Sequence, residues 1–226
     1  MQLYRQVVSG IFLSRPNRFI AHVETANGIE ICHVKNTGRC KELLIPGSRV
    51  YLAISNNPAR KTRCDLVAVE KGNLLINMDS QAPNQAAGEF FPRLIPGISH
   101  LKPEAVYGAS RLDFYIEAGE RKIFAEVKGV TLEQNGLALF PDAPTQRGIK
   151  HLQELEKCVQ AGYEAMLLLV IQMKGVHAFS PNAATHPAFA AALSHARAAG
   201  VQILAYDCIV TPDSMTLSSP VPLLIP

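Results

Sequence analysis

Asp113, Glu126 and Lys128 are the residues of this 226-residue chain whose types and spacing are best suited to chemistry. They fall in RLDFYIEAGERKIFAEVKGV, two alternating runs separated by a Gly-Glu turn. In the first run Leu112, Phe114 and Ile116 alternate with Arg111, Asp113, Tyr115 and Glu117. In the return run Ile123, Ala125 and Val127 alternate with Lys122, Phe124, Glu126 and Lys128. Such period-two alternation marks a β-hairpin with one face in the core. Centring the turn on Gly119-Glu120 pairs Leu112 with Val127, Phe114 with Ala125 and Ile116 with Ile123. The other face then sets Glu117 against Lys122 and Tyr115 against Phe124. A one-residue slip would put every apolar side chain against a polar one.

The same register sets Asp113 opposite Glu126 and Arg111 opposite Lys128. Cross-strand neighbours have Cβ atoms about 5 Å apart, so both like-charge pairs cost free energy. A divalent cation between the carboxylates, and an anion such as phosphate over the two cations, would satisfy both. Mg²⁺, or Mn²⁺ in its place, suits the acids: it takes oxygen ligands at about 2.0–2.1 Å and is commonly held by one or two carboxylates plus substrate phosphates.

The elements that must carry this hairpin are legible on both sides of it. From Tyr4 to Asp79 the chain runs through short β-branched segments: Gln6 to Leu13, Arg18 to Glu24, Ile29 to Val34, Arg49 to Ile54, Cys64 to Val69 and Leu74 to Met78. Asn27-Gly28, Pro46-Gly47 and Lys71-Gly72-Asn73 read as the turns between them. Five or six strands in so short a stretch predict a small barrel of the oligonucleotide-binding (OB) type. Ser80 to His100 is polar, then Pro/Gly-rich, and reads as a linker with one short helix. After the hairpin come a helix from about Thr145 to Ala161, the buried strand AMLLLVI, a helix from Pro187 to Ala199 and the strand VQILAYD. This alternation implies a mixed sheet flanked by helices. The expected division is residues 1–82 for the barrel and 83–226 for the α/β domain.

A formal net charge of +3 makes nucleic-acid binding a matter of local Lys and Arg clusters rather than of the whole chain. Five cysteines with no C-x-x-C pair fit a reduced cytoplasmic protein, not a disulfide scaffold or a zinc site. The N-terminus has no signal-like apolar stretch, and the run Ala165 to Ile171 is too short to span a bilayer, so a soluble, non-membrane protein is expected. The chain has no Trp and no evident platform on which a sugar could stack, which speaks against a sugar sensor.

Asp113 followed by Glu126-Val127-Lys128 resembles the PD-(D/E)XK nuclease signature. That resemblance implies that the two acids hold Mg²⁺, that the Val127 carbonyl assists, and that Lys128 orients or activates the attacking water. Glu104 stands where nucleases of that fold often carry a further acid; a turn or helix-start residue is the alternative. HVKNTGRCKELLIPG, SRLDF, EVKGVTL and FPDAPTQRGIKHLQEL, in that order, are similar to the sugar fermentation stimulation protein A family. The family implies an N-terminal OB-like barrel, a C-terminal nuclease-like domain, DNA binding with little sequence preference and a role in regulating sugar (maltose) metabolism. Lys35, Cys40, Gly129 and Pro144 depart from the family's usual Pro, Met, Ser and Val, and none of them is a proposed metal ligand.

DNA is therefore the expected partner, with a homodimer as a second expectation. In the helix that Thr145 caps, Arg147, Lys150, His151 and Glu154 lie near one another, and Arg147, Lys150 and His151 are candidates for phosphate contact. Asn36-Thr37-Gly38-Arg39 reads either as a turn whose amides and Arg39 cradle a phosphate or as a plain structural turn. Arg60, Lys61 and Arg63 form a basic cluster suited to a DNA backbone or simply to solubility. Two readings follow: a Mg²⁺-dependent phosphodiesterase with Asp113, Glu126 and Lys128 as its catalytic set and Arg111 on the backbone, or a non-catalytic DNA-binding regulator that retains the nuclease fold.

Overall fold

The structure is a computed structural model that describes residues 1–36, 38–108 and 110–225. Strands β1 (Val7–Asn17), β2 (Ile20–Thr25), β3 (Gly28–Val34), β4 (Arg49–Ile54) and β5 (Cys64–Lys71) form one sheet. β1 pairs with β2 and β4, β2 with β3, and β4 with β5, all antiparallel, and a parallel β3–β5 contact closes the barrel. β6 (Leu74–Asn77) extends the sheet beside β5. The OB-type barrel expected from strand spacing is thus present. The β2–β3 hairpin turns one residue earlier than predicted: Thr25 pairs with Gly28, so Ala26-Asn27 is the turn and Gly28 opens β3. Gly10 is required where β1 crosses β2, since a Cβ there would lie 2.5 Å from Val23 Cγ1 and 2.7 Å from the Glu24 carbonyl oxygen.

The segment predicted as a linker with one short helix is structural on both sides of Pro96-Gly97. α1 (Ala82–Leu94) buries Ala82, Pro83, Ala86, Ala87 and Phe91, and β7 (Ile98–Tyr107) is a sheet edge. The one helix expected here is present, but two prolines and a glycine hide its 13-residue length, and β7 faces solvent at most positions, so it shows no alternation; Pro103 suits it to an edge.

The second domain is built on a six-stranded mixed sheet ordered β15-β14-β12-β9-β8-β7. Here β8 is Ser110–Ala118, β9 Arg121–Val130, β12 Glu164–Ile171, β14 Gln202–Thr211 and β15 Ser214–Pro220. β12 runs parallel to both β9 and β14 and is buried from Ala165 to Ile171, which explains its unbroken apolar run. α1 covers one face of this sheet, enclosing Phe91, Ile116, Ile123, Leu168 and Met215. α2 (Gln146–Gln160) and α3 (Pro187–Ala198) cover the other, burying Leu152, Leu155 and Leu193. β10 (Leu132–Gln134), β11 (Leu137–Phe140) and β13 (Ala178–Pro181) make a small separate sheet.

The core of the α2–α3 layer is continuous with the barrel interior. Across the join, Gln172 Nε2 donates to the Asn77 carbonyl and side-chain oxygens at 3.0 Å and to the Asp79 carbonyl at 3.1 Å. Lys71 Nζ reaches Glu133 Oε2 at 2.6 Å, and the Arg39 N–H donates to Asp142 Oδ2 at 3.0 Å. All five cysteines are buried free thiols. Among the described residues no helix is long and apolar enough to cross a membrane.

Candidate metal and nucleic-acid site

β8 and β9 pair in the predicted register from Ala118↔Arg121 to Phe114↔Ala125, with Tyr115 and Phe124 ring centroids 5.0 Å apart. There the ladder ends. β8 continues against β7, pairing Leu112 with Ala105 and Arg111 with Val106. β9 continues against β12, pairing Glu126 with Leu167 and Lys128 with Leu169. The strands part at Asp113: Leu112 joins the core on the α2 side, and Phe114 the core on the α1 side. This corrects the predicted facing pairs, because Asp113–Glu126 and Arg111–Lys128 are not ladder partners. Asp113 occupies the gap instead, its Oδ2 accepting the Val127 N–H at 2.8 Å and its Oδ1 accepting from Asn84 Nδ2 of α1 at 2.9 Å.

Glu126 is 1 % exposed. Lys128 Nζ and His151 Nδ1 both donate to its Oε1. Arg147 Nε donates to His151 Nε2 at 3.2 Å, which makes Nε2 the acceptor and leaves the imidazole proton on Nδ1. Glu126 Oε2 is buried and has no partner among the described residues. Burial of such an atom without a hydrogen bond ordinarily costs about 1–3 kcal/mol, more for a charged group.

The two acids are perturbed in opposite senses. Burial, then the negative charge of Glu126, raises the Asp113 pKa against the pull of the Val127 N–H and Asn84. Burial also pushes Glu126 upward, but the His151 hydrogen bond and the Lys128 charge outweigh it and hold the carboxyl below its ordinary value. The donor set fits a hard divalent cation: Glu126 Oε2 is unpartnered, and each Asp113 oxygen keeps a lone pair. Among the described residues no three His, Cys, Asp or Glu side chains gather as a metal-holding group. Two carboxylates suffice for Mg²⁺, which keeps several waters in most protein sites. Val127 links the acids through its N–H.

Glu104 does not complete the set. It sits at φ +52° in a break of the β7–β8 pairing, its side chain is 70 % exposed, and its Oε2 accepts from Arg111 Nη1 at 3.3 Å. Arg111 therefore meets an acid on the outer edge rather than Lys128, which corrects its predicted place.

Residues 81–214 match the family described as sugar fermentation stimulation protein RE domain, and residues 13–78 match its N-terminal OB domain. A sugar fermentation stimulation protein homolog from Desulfitobacterium hafniense is 57 % identical over 213 residues, 94 % of this chain and 93 % of that one. The homolog from Ruminiclostridium cellulolyticum is 56 % identical over 209 residues, 92 % of each chain. The chain belongs to the sugar fermentation stimulation protein family. A solved structure, Pyrococcus furiosus SfsA in complex with Ca²⁺, superposes with a TM-score of 0.90 at 31 % identity and full coverage of both chains.

The other residues singled out in this family member are scattered over both domains. Lys150 is exposed on α2 one turn from Arg147, while His151 is buried on Glu126 and so belongs to the acid cluster rather than to an outer surface. Arg60 forms two hydrogen bonds to Asp65, at 2.8 and 2.5 Å, and is tied into the barrel. Lys61 and Arg63 are exposed beside it, Arg63 lying 4.0 Å from Glu30. In the Asn36-to-Arg39 turn Thr37 lies outside the described residues; Asn36 Oδ1 accepts the Gly38 N–H at 2.8 Å, and Arg39 is exposed. Sequence reasoning missed Asn84, hidden in the segment read as a linker. It also missed Arg15 and Gln172, whose roles depend on contacts remote in sequence and leave no local signal.

Proposed function

We propose that this protein binds DNA with little sequence preference and carries a phosphodiesterase site that uses Mg²⁺ or Mn²⁺, in the setting of sugar metabolism that its family name indicates. The observation that carries this reading is the pair of acids: the buried Glu126 is clamped at one oxygen with the other lacking a partner among the described residues, beside a half-buried Asp113 whose ionisation that same Glu opposes. The Ca²⁺ in complex with the Pyrococcus furiosus relative is in keeping with a cation at such a site.

Asp113 and Glu126 would hold the ion, with Val127 between them. When bound, it would neutralise phosphate charge and lower the pKa of an attacking water. Asn84 and the Val127 N–H fix the Asp113 carboxylate, and His151 fixes Glu126. Lys128 sits at the rim of the acids, where its ammonium would orient water and stabilise the charge that develops on the phosphate oxygens. Arg147 and Lys150 on the first turns of α2 would take the flanking phosphates, Arg147 also keeping the His151 tautomer in place.

The test is incubation of plasmid and single-stranded DNA with the protein in Mg²⁺, Mn²⁺ or EDTA, beside Glu126→Ala and Lys128→Ala. Cleavage is expected with either metal, absent in EDTA and reduced at least a hundredfold in both variants. Wild-type protein that binds but never cuts would replace this reading by that of a non-catalytic DNA-binding regulator.

A further inference from the structure

Two hollows of the molecule are left unused by the metal site. The larger, a groove of about 710 Å³, runs along the end of β1 and the segment after β3. Arg15, Arg18, Arg39 and Lys41 line it, no carboxylate does among the described residues, and its lining also includes Phe12, Leu44 and Pro46. Arg15 is structural: its two terminal nitrogens donate to the carbonyl oxygens of Arg18, Asn36, Gly38 and Arg39 at 2.7–3.0 Å, which pins the 36–39 turn to β1. Arg18, Arg39 and Lys41 are exposed cations with no acidic partner among the described residues.

The second hollow, about 310 Å³, lies between the barrel and the loop from β11 to α2, and it shares Gly38 and Ala143 with the groove. Its lining is of another kind. Asn36, Ser80, Thr131, Thr145 and Gln172 are neutral hydrogen-bonding groups, Asp142 is the one charge among the lining residues, and Phe140 supplies a ring. Gln172 is 1 % exposed. Its Nε2 is committed to Asn77 and Asp79, and its Oε1 stands over Gly129, where any Cβ would collide with it.

A ligand that suits both hollows carries negative charge along a repeating backbone and a planar, neutral, hydrogen-bonding group beside it. We propose that they form a binding track for a single-stranded segment of polynucleotide, with phosphates on Arg18, Arg39 and Lys41 and one base in the cavity between Phe140 and Gln172. A duplex base has its hydrogen-bonding edge paired and its faces stacked, and taking it out costs a few kcal/mol, whereas an unpaired base enters freely. From the cavity the chain runs through Thr145 into α2, where Arg147 contacts His151 and His151 contacts Glu126. The fate of the strand, delivery to the acids, rests on the phosphodiesterase reading; the binding does not.

The experiment uses full-length protein in EDTA, with fluorescence anisotropy of a labelled 20-mer as a single strand and as a duplex at one salt concentration. A second single strand carries 2-aminopurine to report insertion of a base into the cavity. The single strand should bind at least tenfold more tightly than the duplex. Charge reversal at the exposed Lys41 and Arg18 (Lys41→Glu, Arg18→Glu) should weaken it at least tenfold and flatten its salt dependence. Ala143→Trp, at the junction of the hollows, should abolish the 2-aminopurine response while leaving the Tm shift by Mn²⁺ intact, which shows that the variant is folded. Equal binding of duplex, or single-strand binding indifferent to the reversals, overturns the proposal. A strand bound as described by a protein that never cuts would sink the phosphodiesterase reading and leave this one standing.

Discussion

Asp113 is the residue whose energetics say most about the site. Its raised pKa means that the folded protein takes up a proton there more readily than the unfolded chain. The ionised form therefore subtracts from stability at neutral pH, and the loss is relieved as pH falls through the raised pKa. Asp113→Asn keeps an acceptor for the Val127 N–H and removes the charge. Without metal it should be more stable than wild type by up to about 1 kcal/mol at neutral pH, the scale of a charge interaction partly screened by solvent, with the gap closing in acid. Thermal unfolding in EDTA across pH checks the sign. Added Mn²⁺ should raise the Tm of wild type and not of the variant, because ligand that binds only the folded state stabilises it. Glu126 has the opposite sign: its lowered pKa contributes stability above the ordinary carboxylate pKa, lost as pH falls through the lowered value. A Glu126→Gln variant stabilised at neutral pH would contradict that assignment.

At the scale of elements, the site exists because β8 leaves β9 at Asp113 and because α2 is started in the right place. The β8–β9 register was legible from alternation, since a hairpin is a local structure whose two faces must each make sense. Where the ladder ends was not, because β9 is drawn on by β12, about forty residues downstream, and that pairing has no signature inside the hairpin. α2 begins at Thr145, whose Oγ1 accepts the Gly148 N–H at 3.0 Å. Losing such a cap typically costs ~1 kcal/mol. Thr145→Ala should lower stability by that amount in urea titrations and weaken Mn²⁺ binding through the displaced first turn that carries Arg147, and Thr145→Ser should restore both. An alanine variant equal to wild type in both measurements would remove the cap from the account.

At the scale of the molecule, the barrel and the α/β domain share an apolar core and a buried polar join at Gln172. The whole chain should therefore unfold in one cooperative step, with far-UV circular dichroism and tyrosine fluorescence giving coincident urea transitions. Gln172→Ala leaves the Asn77 and Asp79 carbonyls without this donor and should cost about 1–3 kcal/mol. Two separated transitions in wild type would show that the join is not structural.

By itself the sequence determined the OB-type barrel, the strand–helix alternation of the second domain and the hairpin register from Ala118↔Arg121 to Phe114↔Ala125, and it singled out Asp113, Glu126 and Lys128 as candidates. All of these are written in patterns that repeat within a few residues. Tertiary structure alone decided that Asp113 bonds the Val127 N–H instead of facing Glu126, that Glu104 and Arg111 neutralise each other at an edge, that His151 turns inward onto Glu126, and that α1 contributes Asn84. Each of these depends on a contact between segments distant in sequence, where burial and the pairing of buried polar groups outweigh local preference. Sequence spacing could bring the acids to one strand pair, but only the packed fold could bury one carboxylate oxygen of Glu126 without a partner among the described residues.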